Sequence, residues 1–177
     1  MNDLFTKIPL KKLSKKELYD IFDKMLGHSD ITLISKQKSE IGVPLYKVKY
    51  NGKEYKIYVN IKNVRDAYLP GKPDIRRIQT KSLSFLEAVS SNSFFMLAGI
   101  AFYEDNPILV MRNAQEYIFH ASNRSCYISL KNIEKGFEKG FYFTRDCNQD
   151  VYISNSSNLN QIILNYIYDN YSEGIMN

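Results

Sequence analysis

The chain has 177 residues, of which 44% are hydrophobic and 14% aromatic. That composition is enough for one sizeable core in a single domain, and it excludes an intrinsically disordered chain. No apolar run reaches the roughly 18–20 residues of a membrane span, and the first twenty residues lack the apolar stretch of a secretory signal. Two cysteines are too few for a disulfide scaffold. We therefore expect a cytoplasmic protein that does not associate with a membrane.

The charge is unevenly distributed along the chain. The formal net charge is +5, from 24 Lys and Arg against 19 Asp and Glu. Residues 62–81 hold six cationic and two acidic side chains, a local balance of +4. A basic segment of this kind favours an anionic partner more than a uniformly basic surface would.

The predicted elements begin with a helix at residues 15–26. Ser14 and Glu17 form a capping box there, and apolar residues follow at helical spacing. The segments ITLISK and LYKVKY then read as strands, and Asn51-Gly52 predicts a tight hairpin to a third strand, EYKIYVNI. After the basic segment, IRRIQ resumes an extended pattern, and SLSFLEAVSS is typical of a short helix capped by Ser82.

The second half of the chain continues with short strands. FFMLAGIAFYE and PILVMR predict a hairpin across DNP, and a polar connection then leads to the strand CYISL. LKNIEKGFEKG predicts a helix that ends at Gly140, and FYFTR and VYISN predict a hairpin across DCNQ. NLNQIILNYIYDNY is typical of a closing helix. Many short strands with a few short helices favour a mainly β (α+β) fold.

The sequence offers few candidates for catalysis. His28 and His120 are its only histidines, and no phosphate-binding loop or dinucleotide fingerprint is present. Pro73-Asp74 is compatible with a metal-dependent nuclease, which needs two acids for Mg²⁺ and a Lys beside the attacking water. The only Glu-x-Lys, at residues 54–56, precedes that dipeptide instead of following it. We expect a binding protein with no catalytic residue, metal or cofactor, and a nuclease is the less favoured alternative.

Two polar loops carry residue types that bind duplex DNA. Arg and Asn side chains can read base edges, and Lys and hydroxyl groups hold phosphates. Pro70, Gly71 and Pro73 stiffen the first loop, which lowers the entropy lost on entering a groove. A solvated basic loop is the alternative interpretation. The candidate DNA-binding residues are Lys62, Asn63, Arg65, Lys72, Arg76, Arg77, Arg112, Asn113, His120, Ser122, Asn123 and Arg124.

From Tyr55 onward the chain runs strand, basic loop, strand, helix, hairpin, polar loop, strand, helix, hairpin. This order resembles the pseudobarrel DNA-recognition domain shared by plant auxin-response-type transcription factors and restriction enzymes such as EcoRII and BfiI. YKIYVNI…LPGKPDIRRIQ is similar to the first strand, first arm and second strand of the restriction-enzyme versions. FFMLAGIAFYEDNPILVMRNA is similar to their central hairpin, and NRSCYISLKNIEKGFEKG to the strand and helix after the second arm.

The resemblance covers about residues 55–154 and implies a small open seven-stranded-type pseudobarrel with peripheral short helices. Residues 1–51 lie outside it, and their local patterns predict an N-terminal helix-plus-hairpin extension. Residues 1–177 would form a single DNA-binding domain, with the extension at 1–51, the core at 54–154 and a closing helix at 156–172. Residues 62–74 and 112–125 would be two arms inserted into the major groove.

Among these relatives, the chain looks most like the N-terminal recognition part of a LlaJI-type restriction subunit, whose motor resembles the McrB GTPase. This implies site-specific binding of double-stranded DNA as the target-recognition module of a bacterial restriction system. A nuclease or GTPase motor subunit would be fused to it or would be its partner. A reader of methylated DNA and a protein-interaction module with a basic face stay open as alternatives, and RNA binding is less favoured.

Overall fold

A computed structural model of the chain describes residues 3–80, 93–112, 124–161 and 164–165. Within these residues the fold is mainly β, with nine strands in one mixed, open sheet and a few short helices. This confirms the mainly β (α+β) class. The strands are β1 (Thr32–Gln37), β2 (Leu45–Tyr50), β3 (Lys53–Asp66), β4 (Ile75–Thr80), β5 (Phe94–Tyr103), β6 (Asn106–Arg112), β7 (Arg124–Ser129), β8 (Phe141–Asp146) and β9 (Gln149–Ser154). The helices are α1 (Asp3–Lys7), α2 (Lys15–Gly27) and α3 (Leu130–Lys139), and a short 3-10 turn follows at Ser156–Asn158.

The sheet has a main path and a branch. The main path runs β1-β2-β3-β5-β6-β9-β8, and β4 pairs with both β3 and β7 away from it. All neighbours are antiparallel except β3 and β5, where residues 57–63 lie parallel to residues 94–100. The last three residues of β3, 64–66, pair with β4 instead. The fourteen-residue β3 therefore joins the main sheet to a three-stranded section made of β3, β4 and β7.

The N-terminal extension is built as the sequence predicts. The Ser14 hydroxyl accepts from the Glu17 N–H at 3.2 Å, and the Glu17 carboxylate accepts from the Ser14 N–H at 2.7 Å, so the capping box is present. Asn51 and Gly52 turn between β2 and β3 with φ of 49° and 78°, the conformation of a two-residue hairpin loop. Because β2 pairs with β3, the extension adds two strands to the main sheet.

Two apolar clusters lie on opposite faces of the main sheet. One joins α2 to the sheet through side chains such as Phe22, Tyr46 and Met96. The other fills the space between the main sheet, the three-stranded section and α3, and includes Val64 and Ile78. A Cβ atom on Gly99 would meet both Val64 and Ile78 at 2.7 Å, so glycine there permits the three-stranded section to pack closely on β5.

The structure also departs from the sequence interpretation. β3 continues to Asp66, so residues 62–66 of the predicted first arm form a strand and the loop itself spans residues 67–74. Helix α1 was not predicted. The predicted helix of SLSFLEAVSS, most of the second polar loop and most of the closing helix lie outside the described residues. Among the helices that the structure describes, none is long and apolar enough to cross a membrane.

Candidate nucleic-acid interface

One surface of the three-stranded section carries two arginines of the basic segment, Arg65 and Arg77. Arg65 of β3 lies directly opposite Arg77 of β4, and Arg77 lies opposite Tyr127 of β7. Gln79 and Ser125 form the next pair along β4 and β7. The alternate residues of β4, including Ile78, are buried, so these five side chains share the outward side of the section. We call Arg65, Arg77, Gln79, Ser125 and Tyr127 the basic face.

The two arginines of the basic face lie directly opposite each other on paired strands. Like charges directly opposite each other on paired strands are destabilising. Neither Arg65 nor Arg77 forms an ion pair within the described residues; the Arg77 guanidinium lies 5.7 Å from the centroid of the Tyr68 ring. Uncompensated positive charge on a rigid strand pair is the arrangement expected of a surface that meets an anionic partner.

The loop at residues 67–74 is held by its own backbone hydrogen bonds. The Ala67 N–H donates to the Ile75 carbonyl at 3.3 Å, and the Lys72 N–H donates to the Leu69 carbonyl at 3.1 Å. The Tyr68 N–H donates to an Asp66 carboxylate oxygen at 2.7 Å. Tyr68 has φ of 52°, unusual for a bulky residue, while its side chain is 78% exposed. The loop therefore presents an exposed ring in a constrained conformation.

Arg76 does not face solvent beside Arg77. Its side chain is 3% exposed, and Nη1 donates to the Pro73 carbonyl at 2.8 Å. The guanidinium also lies 5.4 Å from the ring centroid of Phe5 in α1. Burial lowers the pKa of Arg76, and the charges of Asp66 and Asp74 oppose that effect. The predicted DNA contact of Arg76 is therefore replaced by a structural role, because strand alternation turns this side chain inward under the loop.

Arg112 is likewise buried, at 1% exposure. Its Nη1 donates to the carbonyl oxygens of Gln149 at 3.1 Å and of Asp146 and Asp150 at 3.4 Å, which lie around the turn between β8 and β9. The sequence interpretation placed Arg112 at the DNA. Its position at the end of the buried strand β6 instead makes it a brace for that turn.

Asp146 connects the same turn to helix α3. Its Oδ2 accepts from the Ser129 N–H at 2.8 Å, the Ser129 hydroxyl at 3.0 Å and the Asn132 amide at 2.8 Å. Burial alone would raise the pKa of Asp146, but these hydrogen bonds outweigh it and hold the pKa below its usual value. The Leu130 N–H donates to the Asp74 carbonyl at 2.9 Å. The loop, the start of α3 and the β8–β9 turn are thus fixed to one another.

The attachment points of the two predicted arms lie at opposite ends of β4. The loop at 67–74 enters β4 at Ile75, and the second polar loop leads into β7 at Arg124, whose backbone pairs with Thr80. Five residues of extended strand separate these ends, roughly 17 Å. Asn113, His120, Ser122 and Asn123 lie outside the described residues, as does the side chain of Arg124. The basic face occupies the strand between the two attachment points.

The remaining described residues among the predicted DNA contacts are Lys72, Asn63 and Lys62, and they lie outside the basic face. Lys72 is exposed on the loop, as expected of a phosphate contact. Asn63 clamps the chain before α2, since its Oδ1 accepts from the Leu13 N–H at 2.9 Å and its Nδ2 donates to the Leu13 carbonyl at 2.8 Å. Lys62 is half-buried and lines a groove next to Arg65. Sequence reasoning did not select Tyr68, Gln79 or Tyr127, although the alternation within IRRIQT places Gln79 on the same side as Arg77.

These features define a small mainly β protein with a preorganised, cation-rich face. A family model described as methylase-associated X1 matches residues 55–163, which is more than half of the chain. The chain therefore belongs to the methylase-associated X1 family, which is linked to restriction–modification systems. The matched span begins in β3, so α1, α2, β1 and β2 lie outside it. No curated protein and no solved structure matches the chain.

Proposed function

We propose that this protein binds double-stranded DNA at a specific sequence, as the target-recognition module of a restriction–modification-related system. The observation that carries the proposal is the directly opposed pair Arg65 and Arg77, which has no acidic partner among the described residues. DNA phosphates would remove the repulsion between these two charges, because a phosphate placed between them attracts both.

The chemistry of the basic face suits both kinds of DNA contact. An arginine can donate bidentately to O6 and N7 of guanine, and a glutamine can pair with N6 and N7 of adenine. Arg65, Arg77 and Gln79 supply those groups from rigid strands. Lys72 and Ser125 supply donors for phosphates, which position the protein without reading sequence. The constrained loop at 67–74 would reach the groove with little loss of conformational entropy.

We further propose that the core from β3 to β9 is a pseudobarrel recognition domain with two arms, of the kind found in LlaJI-type restriction subunits. The element order and the two loop attachments at opposite ends of β4 support this proposal. Cleavage or DNA translocation would then belong to a fused or partner nuclease or GTPase motor. The family's methylase association supports a system that acts on DNA at defined sites.

Selection of bound duplexes from a randomised pool tests the function. The full chain is incubated with the pool at about 0.15 M salt, where non-specific phosphate binding is weakened, and a methylated copy of the pool is run in parallel. We expect convergence on one short motif in the unmethylated pool. Enrichment confined to the methylated pool would make the protein a reader of modified DNA. Binding without enrichment in either pool would contradict site-specific recognition.

A further inference from the structure

A groove of about 500 Å³ separates the N-terminal extension from the three-stranded section. One wall comes from the start of α2 and the residues before β2, and the other comes from the middle of β3 and the end of β4. Lys15 closes one end, since its Nζ donates to the Gly42 carbonyl at 3.4 Å. The volume is within the range of about 300–1,000 Å³ typical of small-molecule sites.

The groove is continuous with the basic face. Arg65 and Gln79 belong to both, so a duplex lying on the basic face would pass the mouth of the groove. The opposite wall is formed by Leu18, Tyr19 and Val43, which precede the span matched by the family model. The groove thus depends on a segment outside the matched span as well as on the family domain.

A buried amide faces this groove. Asn60 is 3% exposed and lines the groove. Its Nδ2 donates to the Thr80 hydroxyl at 3.4 Å, a long hydrogen bond, and its Oδ1 accepts no hydrogen bond from the described residues. Oδ1 is not sealed from solvent. It is therefore open to accept a hydrogen bond from a ligand that enters the groove.

We propose that the groove accepts a single nucleobase extruded from the duplex, and that the base carries an exocyclic amine, as adenine and cytosine do. The inference rests on the proposed DNA binding and names a second contact within the same interaction. Asn60 Oδ1 accepts from the exocyclic amine, and the remaining Nδ2 hydrogen donates to the adjacent ring nitrogen.

The other groove residues suit the rest of a nucleotide. The side chains of Leu18 and Val43 and the ring of Tyr19 offer apolar contact to the faces of the base. The Tyr19 hydroxyl already donates to the Val59 carbonyl at 2.8 Å, which fixes the ring against the sheet. Lys15 and Lys62 line the same groove and supply positive charge for the phosphates that flank the extruded nucleotide.

A mismatch scan of the selected duplex tests this inference without any protein variant. At each position in turn the partner base is changed so that the pair cannot form, while the candidate target base is kept. Extrusion costs a few kcal/mol, and a mismatch removes part of that cost. We expect binding to tighten about tenfold or more at one adenine or cytosine, and to weaken or stay unchanged elsewhere.

Two substitutions locate the effect in the groove. Leu13→Trp places a large ring in it, and Asn60→Leu removes the amide at similar volume. Both variants should bind the selected duplex without the gain at the mismatch. Leu10→Trp is the matched control, because Leu10 is exposed and does not line the groove. Thermal unfolding of all three establishes that each is folded.

The outcomes separate the inference from the function on which it rests. Site-specific binding with no tightening at any mismatched position would overturn the base pocket and leave the proposed function intact. A gain that persists in both groove variants would also overturn it. Absence of specific duplex binding would overturn the proposed function and the base pocket together.

Discussion

Arg77 lies at the centre of the basic face. Its replacement with glutamine should lower the affinity for DNA and leave the free energy of unfolding almost unchanged. Arg77→Gln removes one of two opposed charges, which should stabilise the free protein by about 0.2–1 kcal/mol. It also removes the contact of the guanidinium with the Tyr68 ring, worth about 0.5–1 kcal/mol at an exposed site. The two effects oppose each other. We expect the free energy of unfolding to change by less than about 1 kcal/mol, or by roughly 2–4 °C in melting temperature.

The same substitution should weaken DNA binding much more than it changes stability. Loss of a bidentate base contact costs about 1–3 kcal/mol, or roughly fivefold to 150-fold in Kd. Loss of a phosphate contact instead lowers the slope of log K against log salt by about 0.9. Fluorescence anisotropy with the selected duplex at several salt concentrations distinguishes the two contacts.

Lys53→Gln is the control for this measurement. It removes one positive charge from β3, the strand that pairs with β4. Lys53 lies twelve residues before Arg65 and therefore roughly 40 Å from it along an extended chain. If Arg77→Gln and Lys53→Gln weaken DNA binding equally, the affinity depends on the net charge of the protein and not on where that charge lies. The basic face would then have no special role.

Three further predictions concern the residues that hold the face. Arg76→Ala should destabilise the fold by about 2–4 kcal/mol, because it leaves the Pro73 carbonyl without its partner and empties a buried site; a change below about 0.5 kcal/mol in chemical denaturation would contradict the structural role. Asp146→Ala should cost about 1–3 kcal/mol near pH 7, since the Ser129 N–H loses its acceptor. The pKa of Asp146 is lowered in the fold, so its stabilisation is complete above the unfolded pKa of about 3.9 and is lost as the pH falls below it; a wild-type advantage that does not shrink in denaturation series from pH 7 to pH 3 would refute this. Tyr68→Gly should relieve the strain of the positive φ, so its free energy of unfolding should equal or exceed that of Tyr68→Ala. Both variants should bind DNA more weakly than the wild type, and unchanged binding in both would exclude Tyr68 from the interface.

Patterns among residues that are close in the sequence predict most of the fold. The capping box at Ser14 and Glu17, the Asn51-Gly52 turn and the alternation of LYKVKY each depend on neighbours within a few residues, and the structure confirms all three. The parallel pairing of β3 with β5 depends on residues almost forty positions apart, and no local pattern specifies it. The end of β3 was misjudged for a similar reason. Residues 64–66 are extended because β4 pairs with them, despite their charge.

The candidate site was harder to predict than the fold. Composition and charge identified the basic segment, yet they could not distinguish Arg76 from Arg77. One-residue alternation in β4 buries Arg76 and leaves Arg77 half-buried on the outward side, so the register of the strand decides their roles. Composition also misplaces Arg112. A basic residue at the end of a buried strand can donate hydrogen bonds to the backbone carbonyls of a neighbouring turn instead of facing a ligand. The groove beside Asn60 joins the N-terminal extension to β3, and only the tertiary structure brings them together.

The most direct test of DNA recognition is equilibrium binding of the full chain to the selected duplex and to a scrambled duplex of equal length and composition. At about 0.15 M salt we predict that the selected duplex binds at least about 1,000-fold more tightly, the lower end of the range for specific DNA-binding proteins. Equal affinity for the two duplexes, falling in parallel as salt rises, would contradict the account. It would reduce the basic face to a non-specific polyanion-binding surface.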